Sequence, residues 1–272
     1  MQRALATALV LSLAIAPGAI AAPQATPSTE AATPSATLAA SGSVLLEKDE
    51  DGLAIDWSRF VLRIKGVGMA PERGALAQRR LMAKRTALAD GYRRLSDALD
   101  AIRVSSEAHL RDLTAVDDQA RLGVNDLIRE ARTTDVHYWA DGSVEITLEV
   151  PLAGSQSLST VVFGNAQAAT ASIAPKAKPS GLVIDARGTG AQPALKARVR
   201  DAAGKVIAAD LPLAYYHLPE GAKEQTGDSP LKIKAKRAYG PTRADVLLTD
   251  EDANKVKAAL KDGAKLPLAI IL

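Results

Sequence analysis

Residues 74 to 102, GALAQRRLMAKRTALADGYRRLSDALDAI, hold a helical period for about seven turns, and no other stretch restricts the fold as strongly. At about 100° per residue from Leu81, the side chains of Ala77, Leu88, Tyr92, Leu95 and Leu99 fall within about 40° of it, while Arg79, Thr86, Asp90, Arg93 and Asp97 lie opposite. A helix this long with one apolar stripe needs a broad surface to lie on, and the flanking segments supply strands. FVLRIKGVGMAP predicts a strand from Phe60 to Lys65, with Gly66, Gly68 and Pro71 reversing the chain before the helix. IRVSSEAHLRDLT, from Ile102, reads as a second strand. VDDQARLGVNDLIREA follows as a shorter amphipathic helix with Val116, Ala120, Val124, Leu127 and Ala131 on its apolar side.

DVHYWADGSVEITLEV carries a hairpin signal around Asp141-Gly142. A two-residue loop would pair Ala140 with Ser143. A three-residue loop with Gly142 in a bulge instead aligns Tyr138 with Val144 and Val136 with Ile146, apolar against apolar, and is the better match. The expected order from 55 to 163 is therefore β-α-β-α-β-β, an α+β domain whose antiparallel sheet is packed by one long and one shorter helix.

Composition changes on both sides of this block. Arg3 precedes an apolar run of about 13 residues and the small-residue site Ala19-Ile20-Ala21, so residues 1–21 read as a secretory signal peptide too short to span a bilayer. Export to a bacterial periplasm is the expected consequence. Residues 22–54 read as a flexible leader, with Ala, Pro, Ser and Thr dominating 22–43. Residues 164–179 read as a linker, and 180–272 as a smaller β-rich α+β domain. In that domain GLVIDA, LKARVRDAAGKVIA, PLKIKAKRAYG, ADVLLT and LPLAIIL are strand candidates, and a helix begins after the cap Thr249.

The residues available for chemistry are few. There is no Cys, and the three histidines, His109, His137 and His217, stand in different elements, so no metal site is expected. KGVGMAPERG lacks the third glycine of a dinucleotide loop and the Lys-Ser/Thr of a P-loop, and no Gly-x-Ser-x-Gly elbow occurs, so neither a cofactor nor a catalytic centre is expected. Aromatic content of 3% and a formal charge of only +3 leave little for nucleic-acid stacking or phosphate contact. The candidate contact residues are Arg79 and Arg93, on the polar side of the long helix, and the pair Asp185 and Arg187. The helix cations are either a solvated back or a docking face for an acidic partner or anionic envelope surface. Asp185 and Arg187, two apart in a strand, are either a solvated or sheet-edge ion pair or part of a ligand site.

KGVGMAPERGALAQRRLMAKRTALADGYRRLSDAL followed by DGSVEITLEVPL resembles the LPP-twenty lipoprotein family and the related N-terminal domain of the flagellar assembly protein T. The shared features are the Gly-x-Gly turn at Gly66 and Gly68, a helix with Ala77, Leu81, Arg85, Ala87, Ala89, Tyr92 and Leu95, and the closing hairpin at Asp141 and Gly142. The resemblance implies a dodecin-like α/β arrangement over residues 60–160 and a non-catalytic role at the cell envelope. Its implied partners are envelope or flagellar basal-body proteins, with self-association as a further possibility. The chain departs from the family in having no lipobox Cys. The alternative expectation is a periplasmic binding module for a small-molecule or cell-wall ligand.

Overall fold

A computed structural model describes residues 44–164, 179–261 and 265–272. The expected signal peptide, the leader up to residue 43 and linker residues 165–178 lie outside the described residues.

The first half consists of β1 (Leu46–Lys48), β2 (Leu53–Asp56), β3 (Val61–Gly68), α1 (Leu76–Asp100), α2 (Leu110–Thr114), α3 (Asp118–Arg129), β4 (Arg132–Tyr138), β5 (Val144–Pro151) and α4 (Leu158–Phe163). Its five strands form one antiparallel sheet in the order β1-β2-β3-β5-β4. Leu62 and Ile64 of β3, with Val144, Ile146, Leu148 and Val150 of β5, form the buried face beneath α1. The opposite face carries the cross-strand ion pairs Arg63–Glu149 and Lys65–Glu145. The hairpin has the expected apolar register, Val136 opposite Ile146 and Tyr138 opposite Val144, with Gly142 at φ 89°.

The seat of α1 differs from the helical wheel. Its buried residues are Ala83, Ala87, Gly91, Leu95 and Leu99, whereas Leu81 and Ala77 are exposed and Leu88 and Tyr92 half-buried. The cause is close approach. Gly66 and Gly68 lie against the helix backbone, so that a Cβ on Gly66 would meet the carbonyl oxygen of Ala87 and come within 2.5 Å of Gly91 N. Contact at that range requires small residues on the helix as well, which moves the seated stripe away from the largest side chains. Gly123 in α3 has the same role on a smaller scale, since a Cβ there would sit 2.7 Å from Val161 Cγ1 of α4.

Two expected boundaries are corrected. The leader ends before residue 44 rather than at 54. Val44 bridges to Tyr216, and β1 and β2 form a hairpin whose turn holds Gly52 at φ 87° and in which Asp49 Oδ1 accepts from Leu53 N at 2.7 Å. The expected strand after Ile102 is a tight loop that leads into α2, so the order β-α-β-α-β-β is replaced by three strands, three helices, two strands and a helix. Val104 N donates to Ala108 O, and the outward carbonyls of Arg103, Val104 and Ser106 accept from Leu195, Lys196 and Thr242. Those groups are satisfied by the second half of the chain, so no sheet ladder is needed.

That half contains β6 (Leu182–Asp185), β7 (Val199–Arg200), β8 (Val206–Ala208), β9 (Leu213–Tyr216), α5 (Lys223–Thr226), β10 (Leu231–Lys234), β11 (Arg237–Tyr239), β12 (Asp245–Leu247), α6 (Asp250–Ala259) and β13 (Leu268–Ile271). A parallel sheet runs β10-β6-β13-β9, and a mixed one runs β11-β12-β7-β8. Thr249 caps α6 as expected, its side chain accepting from Asp252 N. PLKIKAKRAYG divides between the two sheets.

From residue 44 onward the described chain forms one compact unit, and a single apolar core continues through both halves. Trp57, Phe60 and Tyr215 meet at ring-centroid distances of 5.8 to 6.1 Å. Ser58 Oγ donates to Tyr215 O at 2.7 Å. Phe60 takes φ 54°, an unfavourable conformation for an aromatic residue, held by its place in this cluster.

Candidate interaction surface

Three segments end together at one edge of the five-stranded sheet: the end of β3, the β4–β5 hairpin tip and the start of α1. The loop from Met69 to Ala75 joins the first to the third, and Ala70 packs against the tip at Gly142. Of the ten large hydrophobic side chains exposed among the described residues, seven belong here: Val67, Met69, Leu76, Leu81, Met82, Tyr138 and Trp139. Met69 is 67% exposed and Trp139 50%, so the described residues leave both largely uncovered. Scattered single hydrophobics are ordinary on a protein surface, but this concentration makes the edge the candidate contact surface.

The same edge is basic. Between residues 66 and 86 stand Arg73, Arg79, Arg80, Lys84 and Arg85, with Glu72 the one acid among them. Arg79 Nε donates to Pro71 O at 2.6 Å, fixing the loop, and the Arg80 guanidinium lies 6.0 Å from the Tyr138 ring centroid. None of the five cations has a carboxylate partner among the described residues, whereas Arg93 and Arg94, farther along α1, do. The start of α1 adds positive potential, because its first turn holds no acid and no side chain caps its free N–H groups.

Arg93 is therefore no part of this surface. It bonds Asp90 at 3.0 Å and Asp97 at 3.4 Å, beside a groove of ≈ 550 Å³ lined also by Asp49, Asp51 and Arg94. Arg94 donates to the carbonyls of Lys65 and Asp51. Partial burial pushes the Asp90 carboxyl up, but hydrogen bonds from Val67 N and Arg93 and the charge of Arg94 outweigh it and hold the group below the usual carboxylate range. The polar groups of the groove are satisfied by one another.

Asp185 ends β6, an interior strand of the parallel sheet, and Arg187 lies in the turn after it rather than two places along a strand at a sheet edge. Arg187 Nη2 and Nε reach the Asp185 carboxylate at 2.6 and 2.9 Å, and that two-pronged hydrogen bond lowers the Asp185 pKa despite partial burial. This is the ion-pair alternative, on a partly exposed pair. Arg187→Ala is expected to change stability by no more than about 0.5 kcal/mol, measured by urea denaturation.

Among the described residues no three His, Asp or Glu side chains gather where they could hold a metal ion, and no helix is long and apolar enough to cross a membrane. His137 packs edge-on against Trp139 at 4.3 Å.

The cations of the surface are visible in the sequence, but its apolar part is not. Leu81 looks like the centre of the buried stripe, and Tyr138 and Trp139 look like ordinary strand residues. Only the seating of α1 on Gly66 and Gly68 turns Leu81 outward.

Residues 181–266 match the family described as Treponema pallidum Tp0624, second domain. The match falls wholly in the second half of the chain and leaves the basic edge outside it. No curated protein matches the chain.

Proposed function

We propose that this chain is an exported, non-catalytic assembly protein of the bacterial cell envelope, working in the periplasm. The observation that carries the reading is the basic and apolar edge formed by the start of α1 and the β4–β5 tip. Its apolar side chains are exposed and its cations lack carboxylate partners among the described residues, both of which a bound partner would correct. The non-catalytic part is supported by the other charged clusters, whose groups are spent on one another. A ligand module built on Asp185 and Arg187 has less support for the same reason. The resemblance to the flagellar assembly protein T makes basal-body proteins the first partners to look for.

The test is photo-crosslinking in living cells from probes placed at Leu81 and Trp139, with a probe at Arg187 for comparison. Adducts with defined envelope components are expected from the first two positions and not from the third. A chain that crosslinks to nothing in the envelope from either edge position is not an assembly protein.

A further inference from the structure

We propose that the partner met by this edge is an anionic lipid bilayer, onto which the protein docks peripherally through Met69, Leu76, Leu81, Tyr138 and Trp139 with Arg80, Lys84 and Arg85 around them. The inference rests on the envelope reading above and names what that surface touches. Three observations favour a bilayer over an acidic protein.

The first is the kind of apolar residue exposed. Trp and Tyr beside Leu and Met, flanked by Arg and Lys, is the combination that settles at the boundary between headgroups and acyl chains. Trp139 is half exposed at the hairpin tip, while Trp57, the other tryptophan, is buried in the core.

The second is where these residues stand. They come from a loop, a helix start and a hairpin tip, all at the same end of one sheet, so a single plane approaching that end would meet them together. Insertion of side chains from segment ends leaves the sheet hydrogen bonds intact, as a bilayer requires.

The third is the charge. Five cations without carboxylate partners among the described residues and an uncapped helix start face the same end. Of the nearby acids, Glu145 pairs with Lys65 at 2.8 Å, while Glu72 and Asp141, whose carboxylate the Ser143 N–H and hydroxyl keep ionised, are the charges that oppose the five cations. Anionic headgroups attract such cations with a contribution of about fivefold in binding for each one near the surface. Arg and Lys also suit the site because their stems lie along apolar surface while their charges reach the phosphates.

The experiment uses the chain from residue 22, so that the apolar N-terminal run cannot itself bind lipid. Co-sedimentation with vesicles of phosphatidylglycerol in phosphatidylethanolamine is compared with vesicles of phosphatidylcholine alone. Binding to the anionic vesicles is expected, weakened several-fold as salt rises from about 0.05 M to about 0.5 M, with a blue shift of tryptophan emission from Trp139. The triple variant Arg80→Glu, Lys84→Glu, Arg85→Glu should bind more than about tenfold less. Trp139→Ser should weaken binding and abolish the blue shift, and Arg187→Glu should change neither.

Equal binding to both kinds of vesicle, no binding to either, or binding indifferent to the triple charge reversal would each overturn the proposal. If vesicles fail while crosslinks from Trp139 run to one envelope protein, the lipid assignment falls and the assembly reading stands. If crosslinks also fail, both fall.

Discussion

Replacing Asp245 with alanine is expected to destabilise the protein by about 3–5 kcal/mol, the cost of stripping one partner from a buried ion pair. Asp245 is fully buried on β12, and all its polar reach is used. Oδ2 accepts from Arg200 Nε at 2.7 Å and from Ser106 Oγ at 2.9 Å, and Oδ1 accepts from Arg198 N at 2.9 Å. Arg200 is itself buried, lying 4.6 Å from the Tyr239 ring centroid and bonded to Gly204 O. Without Asp245 it keeps the more distant and exposed Glu107, at 3.5 Å, as its carboxylate partner. The result is a cation held in the interior with most of its compensation gone.

Ser106 belongs to the loop after α1, so the loss should be felt by both halves in one transition. Asp245→Asn, which keeps an acceptor for Ser106 or Arg198 N but removes the charge, should fall between the alanine variant and wild type. Ser106→Ala should cost about 1 kcal/mol. Thermal denaturation distinguishes these, since a domain of this size loses about 2–4 °C per kcal/mol. An Asp245→Ala protein as stable as wild type would mean that the buried Asp245–Arg200 pair contributes nothing to holding the two halves together, which would then rest on apolar contact and the backbone hydrogen bonds between them.

What the sequence discloses follows from how local the responsible physics is. The β4–β5 register is readable because Asp141-Gly142 fixes a turn and one alignment brings Val136 and Tyr138 opposite apolar residues. The cap at Thr249 is local as well. Asp51-Gly52 carries the same turn signal for β1 and β2, but it adjoins the Ala- and Pro-rich leader and is hidden by that composition. The segment after Ile102 has the residues of a strand, yet its backbone partners sit about ninety residues away in Leu195 and Lys196, and no local pattern announces them. β6, β9 and β13 are all runs of mostly buried residues in one parallel sheet and show no alternation; β6 and β13 are still readable from their runs of Leu, Val and Ile, which the short LAYY of β9 lacks. The candidate surface divides in the same way. Its cations can be counted in the sequence, whereas the exposure of Leu81 depends on two glycines in another element.

Those glycines give the other large effect. Gly66→Ala is expected to cost at least about 2 kcal/mol and Gly66→Val more, enough to threaten folding of the first half. The reason is what the new carbon would meet: the Ala87 carbonyl oxygen, the Gly91 nitrogen at 2.5 Å and the Gly91 Cα at 2.6 Å. All three are helix backbone, which cannot turn aside as a flexible side chain could, so α1 must lift from β3 as a unit. Lifting it also opens the contacts of Ala83, Leu95 and Leu99 with the sheet, because one rigid helix carries them all. Leu81→Ala, by contrast, should stay within about 0.5 kcal/mol, because Leu81 is already exposed. A hydrophobic ranking of the helix would give the reverse order, with the large Leu81 essential and a single added methyl on a neighbouring strand tolerable. Urea denaturation of the two alanine variants therefore decides which face of α1 is seated. If Leu81→Ala proved the costlier change, the exposed edge would lose one of its central apolar residues to the core, and with it much of the case for a docking surface.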